Sequence, residues 1–157
     1  MTKLAGLGHH ADMSTVGGDL PEIVIGDGET HADSAALRAA LHEFNFESTG
    51  YRDGRSLSCF LRNGEGALVA GIDGFTWGGY ARVDYLWVEQ ASRGTGVGSR
   101  LLRAAEDEAR RRGCRKVVLD THSFQAPDFY RSRGYLVVGT TKDTPVGFSQ
   151  TLFEKPL

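Results

Sequence analysis

The stretch Arg82-Val83-Asp84-Tyr85-Leu86-Trp87-Val88, then Glu89-Gln90-Ala91-Ser92, then Arg93-Gly94-Thr95-Gly96-Val97-Gly98 decides the reading of this chain. It reads as a strand, a short connection and a glycine loop that opens a helix from about Ser99 to Arg112. At such a helix start the backbone N–H groups lack intrahelical partners, and together with the helix dipole they make a site for phosphate oxygens. Glycines remove the Cβ atoms that would hold a pyrophosphate off the backbone. Arg93 adds a positive charge. The alternative is that the glycines only let a tight turn pack against a sheet, but three alternate glycines directly before a helix exceed what a turn requires.

The type of phosphate ligand follows from what the loop lacks. A nucleoside-triphosphate loop needs Lys-Ser/Thr after its last glycine, and here Ser99-Arg100 follows. A dinucleotide fold has Asp120 in its favour, placed about twenty residues on. Against it stand the GxGxG spacing, the four residues between strand and loop, and the three antiparallel-looking strands that come first.

Working outward, Ser56–Arg62 alternates and Ala67–Ile72 returns after the Asn63-Gly64-Glu65-Gly66 turn, so the two predict a β-hairpin. Arg82–Val88 is apolar at nearly every position, as a strand covered on both faces would be. Upstream, Asp33 or Ser34 caps a helix to about Phe46 with Leu37, Ala40, Leu41 and Phe44 on one stripe. Pro21–Ile25 predicts a first strand, and residues 1–20 read as a mobile leader before one domain over 21–157. Downstream, Leu101, Leu102, Ala105 and Ala109 form the buried stripe of the glycine-loop helix. Glu106–Arg110, Asp107–Arg111 and Glu108–Arg112 are acid–base pairs at i,i+4. Lys116–Thr121 is a further strand, Pro127 starts a short helix to Arg133, and Tyr135–Val138 and Phe148–Phe153 close the fold. This order predicts an α/β protein with a mixed sheet and helices on both faces.

Composition narrows the class. The chain has 157 residues, enough for a sizeable core. Eighteen Lys+Arg against twenty Asp+Glu argue against a nucleic-acid binder driven by bulk charge. No apolar run approaches the ~20 residues of a membrane span. Two distant cysteines, Cys59 and Cys114, suit a reduced, cytoplasmic setting. His9, His10, His31 and His42 show no ligand spacing, so no metal is expected. The 21 glycines are about twice the average usage of ~7%.

Two motifs resemble one family. Leu86 to Leu102, with Arg93-x-x-Gly96-x-Gly98 at its centre, resembles the acetyl-CoA signature of the GNAT N-acetyltransferases. Ala126-Pro127-Asp128-Phe129-Tyr130-Arg131-Ser132-Arg133-Gly134-Tyr135 resembles that family's second segment at the family's spacing, and Leu119 to Pro127 is similar to a bacterial subgroup of small enzymes. The resemblance covers roughly residues 20–157. It implies an acetyl-CoA-dependent transfer to a small amine in a ternary complex, with antibiotic or amine detoxification as one setting, and it admits a homodimer.

It also implies residue roles. The backbone of Leu86, Trp87 and Val88 would bond pantetheine, and the Val88 N–H would polarise the thioester carbonyl. Arg93, Gly94, Thr95, Gly96, Val97, Gly98 and Ser99 would wrap the pyrophosphate, and Ser123 stands where many members carry a pantetheine-binding Asn. Tyr130 would protonate the departing thiolate. Asp84 is the first candidate for general base, with pairing to Arg82 as its alternative role and Glu89 and His122 as runners-up. Trp77, Tyr80, Tyr85 and Phe148 would line the acceptor pocket, and His42 and Asn45 would offer polar contacts. Phe148 departs from the subgroup, where a polar residue tends to follow the Pro-x-Gly turn. A non-catalytic acyl-CoA-binding module is the rival reading, and a dinucleotide-binding domain the third.

Overall fold

The structure, a computed structural model, describes Ile23 and residues 32–157, so the leader and, Ile23 apart, the first strand expected at Pro21–Ile25 lie outside the described residues. Chain contacts divide the protein into Met1–Ala39 and Ala40–Leu157. Helix α1 (Ala32–Thr49) begins one residue before Asp33, so Asp33 and Ser34 lie in its first turn. It also outruns the expected end at Phe46. Gly50, at φ +74°, closes it by donating its N–H to the Phe46 carbonyl at 2.7 Å. No residue of α1 is buried, so the stripe of Leu37, Ala40, Leu41 and Phe44 marks a helical period that none of the described residues covers. Near its end Glu43 pairs with Arg52 at 2.7 Å, and the Arg52 guanidinium lies 3.1 Å over the Phe46 ring.

The rest is a six-stranded mixed sheet in the order β1-β2-β3-β4-β6-β5, formed by Arg55–Arg62, Leu68–Trp77, Tyr80–Val88, Lys116–His122, Leu136–Lys142 and Ser149–Pro156 for β1 to β6. The first three strands form an antiparallel meander. β3 and β4 run parallel, with helix α2 (Val97–Arg111) crossing between them, and β6 pairs antiparallel with both β4 and β5. The mixed α/β architecture is the expected one. Among the described residues no helix is long and apolar enough to cross a membrane.

The core lies between the sheet and α2. Leu101, Leu102, Ala105 and Ala109 are all buried, as their spacing predicts, and meet Ile72, Ala81, Val83, Val117, Leu119 and Phe153. The short helix α3 (Pro127–Arg131) adds Tyr130 to the same cluster. Two expectations need correction. β3 is not covered on both faces: Ala81 and Val83 are buried, while Tyr85 is 71% and Trp87 47% exposed. An apolar run reports hydrophobicity, not which neighbours are there to cover it. On α2, Asp107 pairs with Arg110 at 2.7 Å rather than with Arg111, whose guanidinium goes to Glu108. Glu108 holds Arg112 as well, at 2.6 Å, and Glu106 lies 3.9 Å from Arg110. The i,i+3 and i,i+4 partners are neighbours on a helix, so rotamer choice decides between them.

Candidate active site

β3 and β4 pair only from Tyr80 and Lys116 to Val83 and Leu119, then separate. The cause lies one strand away. Asp73 faces Tyr85 and Gly74 faces Val83, so Asp84 is an extra residue, a β-bulge. Gly74 makes the bulge sterically feasible, because a Cβ there would run into the Arg82 carbonyl and come within 3.0 Å of the Val83 Cα. Bulging raises the local twist and turns the end of β3 away from β4. The Glu89 N–H donates to the Val69 carbonyl at 2.9 Å. In an antiparallel ladder this alternation turns the N–H groups of Leu86 and Val88 away from β2, into the opening.

The glycine loop caps that opening. After a 3₁₀ turn at Gln90–Ser92, Gly94 (φ +76°) and Gly96 (φ +88°) take left-handed conformations with open space where a Cβ would stand. Gly98 differs, because a Cβ there would stand in ordinary contact, about 3.5 Å, with Phe129 and Val88. From Gly94 to Ser99 no backbone N–H has a hydrogen-bond partner among the described residues. The first that does is Arg100, which donates to the Gly96 carbonyl at 3.1 Å. Arg93 is held beside the loop by its Nε donating to the Val88 carbonyl at 3.0 Å. Sequence reasoning gave no role to Arg133. Its guanidinium donates to the Ser99 hydroxyl and lies 3.7 Å over the Phe129 ring. With Arg103 and Lys155 it lines a cavity of about 210 Å³ beside the start of α2. The available signal was the Arg131-Ser132-Arg133-Gly134 run, in which cations precede a turn. The loop therefore suits a polyphosphate: unpaired donors, no side chain in the way and cations on both flanks.

At the base of the opening, Arg82 bridges two carboxylates. Its Nε donates to Asp84 Oδ1 at 2.9 Å and its Nη2 to Asp120 Oδ1, while Gln150 donates to Asp120 Oδ2. Burial alone would lower the Arg82 pKa, but the hydrogen bonds to Asp84 and Asp120 outweigh it and raise it. Asp84 Oδ2 has no partner among the described residues. Tyr130 is buried against Phe129, Tyr135 and Phe153, yet its hydroxyl has no hydrogen-bond partner among the described residues. Burial, and secondarily the Asp120 charge, push its pKa up to about 12.

The other expected residues divide clearly. Glu89 accepts a hydrogen bond from the Ser92 hydroxyl at 3.0 Å. The Ser123 hydroxyl accepts from the Ser149 N–H at 3.1 Å, and His122 stacks on Phe124. Tyr85 and Trp87 project from the splayed part of β3. Trp77 and Tyr80 are not brought to this place. They form the turn at the opposite end of β3, where the Trp77 indole donates to the Tyr51 carbonyl at 3.2 Å. His42 and Asn45 lie on α1. Among the described residues no group of three or more His, Cys, Asp or Glu is placed to hold a metal ion.

The model of the acetyltransferase (GNAT) family matches residues 28–135. The chain belongs to the GNAT acetyltransferase family. Its GNAT relatives include the acetyltransferase Atu2258 of Agrobacterium fabrum, 35% identical over 120 residues that cover 76% of this chain and 88% of that one. A blasticidin-S acetyltransferase of Streptomyces morookaense is 40% identical over 93 residues, 59% of this chain and 68% of its own. An acetyltransferase structure from Bacillus cereus superposes with a TM-score of 0.74 at 33% identity, covering 86% of this chain and 98% of that one.

Proposed function

We propose that the protein transfers an acetyl group from acetyl-CoA to a primary amine of a small molecule, by direct attack within a ternary complex in the cytoplasm. The observation that carries this reading is the run of unpartnered N–H groups from Gly94 to Ser99 at the mouth of the β3–β4 opening. Bound there, acetyl-CoA would supply an acetyl group activated as a thioester. Arg93 to Ser99 hold the pyrophosphate, and Leu86 to Val88 offer backbone groups to the pantetheine, with Ser123 at the facing edge. The Val88 N–H points into the opening as a donor for the acyl oxygen. Asp84, through Oδ2, takes the proton of the incoming amine directly or through water. Tyr130 stays protonated at working pH and keeps that proton for the departing sulfur. A relative that acts on blasticidin-S supports an antibiotic or a similar amine as the acceptor.

A thermal-shift titration with acetyl-CoA, CoA and NAD tests the cofactor. A ligand at about 100 times its Kd adds roughly 2.7 kcal/mol to stability. A saturable rise with acetyl-CoA and none with NAD supports the reading, and no rise at millimolar acetyl-CoA overturns it. CoA release with a panel of amines then tests transfer, and binding without release from any amine points to a non-catalytic acyl-CoA module.

A further inference from the structure

Beyond the residues that handle the thioester, the mouth of the opening carries a second device. Where β4 parts from β3, three rings come together. His122 stacks on Phe124 at 5.1 Å between centroids with 16° between planes, and Phe124 meets Phe148 edge-on at 5.0 Å. Phe124 is 55% and Phe148 47% exposed, although both have aromatic neighbours. Apolar rings left this open to water mark a contact surface rather than core.

The cluster is held by its backbone. The Ser123 N–H donates to the Ser149 carbonyl at 2.8 Å, and the Ser149 N–H returns to the Ser123 hydroxyl. The Gln125 side chain accepts from the His122 N–H and the Thr121 hydroxyl, both at 2.9 Å. The Phe148 N–H donates to the Pro145 carbonyl at 2.9 Å. Rings fixed in this way lose little freedom when a ligand arrives.

Position and charge identify the occupant. Strand alternation puts His122 on the same face of β4 as Asp120, two residues back, and the same face of β2 and β3 carries Asp73 and Arg82. Asp84 and Asp120 pair with the Arg82 guanidinium and Asp73 accepts from the Ser58 hydroxyl, so three carboxylates to one guanidinium make a floor that favours a cation. We infer that His122, Phe124 and Phe148 form a stacking platform for a planar ring on the acceptor. The acceptor is then a cationic amine attached to an aromatic or heteroaromatic ring, and not a purely aliphatic polyamine. This rests on the acetyltransferase reading and specifies its substrate class.

The matched pair 2-phenylethylamine and 2-cyclohexylethylamine separates stacking from bulk hydrophobicity, since only the first has a π face. With acetyl-CoA saturating, kcat/KM should favour phenylethylamine by about tenfold, the ~1.4 kcal/mol expected of an aromatic contact. Phe124→Leu and Phe148→Leu keep apolar bulk. Each should remove most of that preference through KM, so that the ratio of kcat/KM between the two amines falls toward one. Calorimetric titration of both amines in the presence of CoA reads the platform independently of turnover, so an inactive enzyme with a normal ring preference would sink only the catalytic reading. Equal handling of the two amines by the wild-type protein overturns the platform. So does a Leu variant that alters sedimentation but not phenylethylamine binding, because the rings would then be a contact between copies of this chain.

Discussion

Tyr130 combines two properties that seldom occur together: a buried ring and a hydroxyl with no hydrogen-bond partner among the described residues. Every buried side-chain N or O among the described residues has a partner, so this hydroxyl reaches solvent at the edge of the buried ring, and its O–H is open to a ligand atom. Tyr130→Phe should lower kcat by about a hundredfold while the acetyl-CoA Kd stays within a fewfold, read from steady-state rates beside a binding titration. Equal turnover would remove Tyr130 from the chemistry. The raised pKa makes a separate prediction. Below pH 10 the phenol is neutral in the folded and unfolded chains alike, and nothing changes. Above it the unfolded chain loses its proton first, so stability falls as pH rises toward about 12. Between pH 9 and 11 the wild-type protein should lose about 1 kcal/mol more than Tyr130→Phe in urea unfolding. Identical losses would mean that burial leaves this phenol unshifted. The motif singles out Tyr130; its missing partner was not legible, because hydrogen bonding between elements leaves no local pattern.

Among the elements, β3 shows how a backbone irregularity makes a site. The bulge at Asp84 breaks the two-residue alternation that would put Asp84 on one face with Leu86 and Val88, and with it the parallel pairing to β4. The Gly74 position depends on that geometry, since a methyl group would strike the backbone of Arg82 and Val83. Gly74→Ala should therefore cost about 3 kcal/mol or more and weaken acetyl-CoA binding as well. Gly64→Ala, at a hairpin turn with open space around it, should stay within about 0.5 kcal/mol. Melting temperatures of the two variants make the comparison, and similar values would show that the bulge relaxes to admit a side chain. The glycine loop was readable because its conformation is local. The bulge was not, because it depends on register between strands.

For the molecule as a whole, Glu106 joins parts of the chain that lie far apart. Buried on α2, it accepts from the Tyr135 hydroxyl at 3.1 Å and from Lys155 of β6 at 2.9 Å to both oxygens. Burial, and then the Glu106 charge, push the Tyr135 pKa up strongly. Removing one member leaves the others desolvated without compensation. Glu106→Ala should lower stability by about 2–3 kcal/mol, and Lys155→Met added to it should recover part of that, both read from urea midpoints. No recovery in the double variant would mean that lost packing, not a stranded charge, causes the effect. From sequence, Glu106 reads as the i,i+4 partner of Arg110 and no more, because nothing local announces that β6 will place an ammonium beside it.

The sequence by itself determined the six strands from Arg55 onward, the helix behind the glycine loop, the buried stripe of Leu101, Leu102, Ala105 and Ala109, and the two motifs that carry the family. These depend on period, turn chemistry and φ, properties of a few consecutive residues. Tertiary structure alone decided that Arg82 joins Asp84 to Asp120, that Trp77 and Tyr80 stand at the far end of β3, that Arg133 reaches the start of α2, and that Phe124 joins His122 and Phe148 at the mouth. Asp120 and Arg82, Arg133 and Ser99, and Phe148 and Phe124 are distant along the chain, and even the near pairs are set by register, bulge and packing, which no window of the sequence contains.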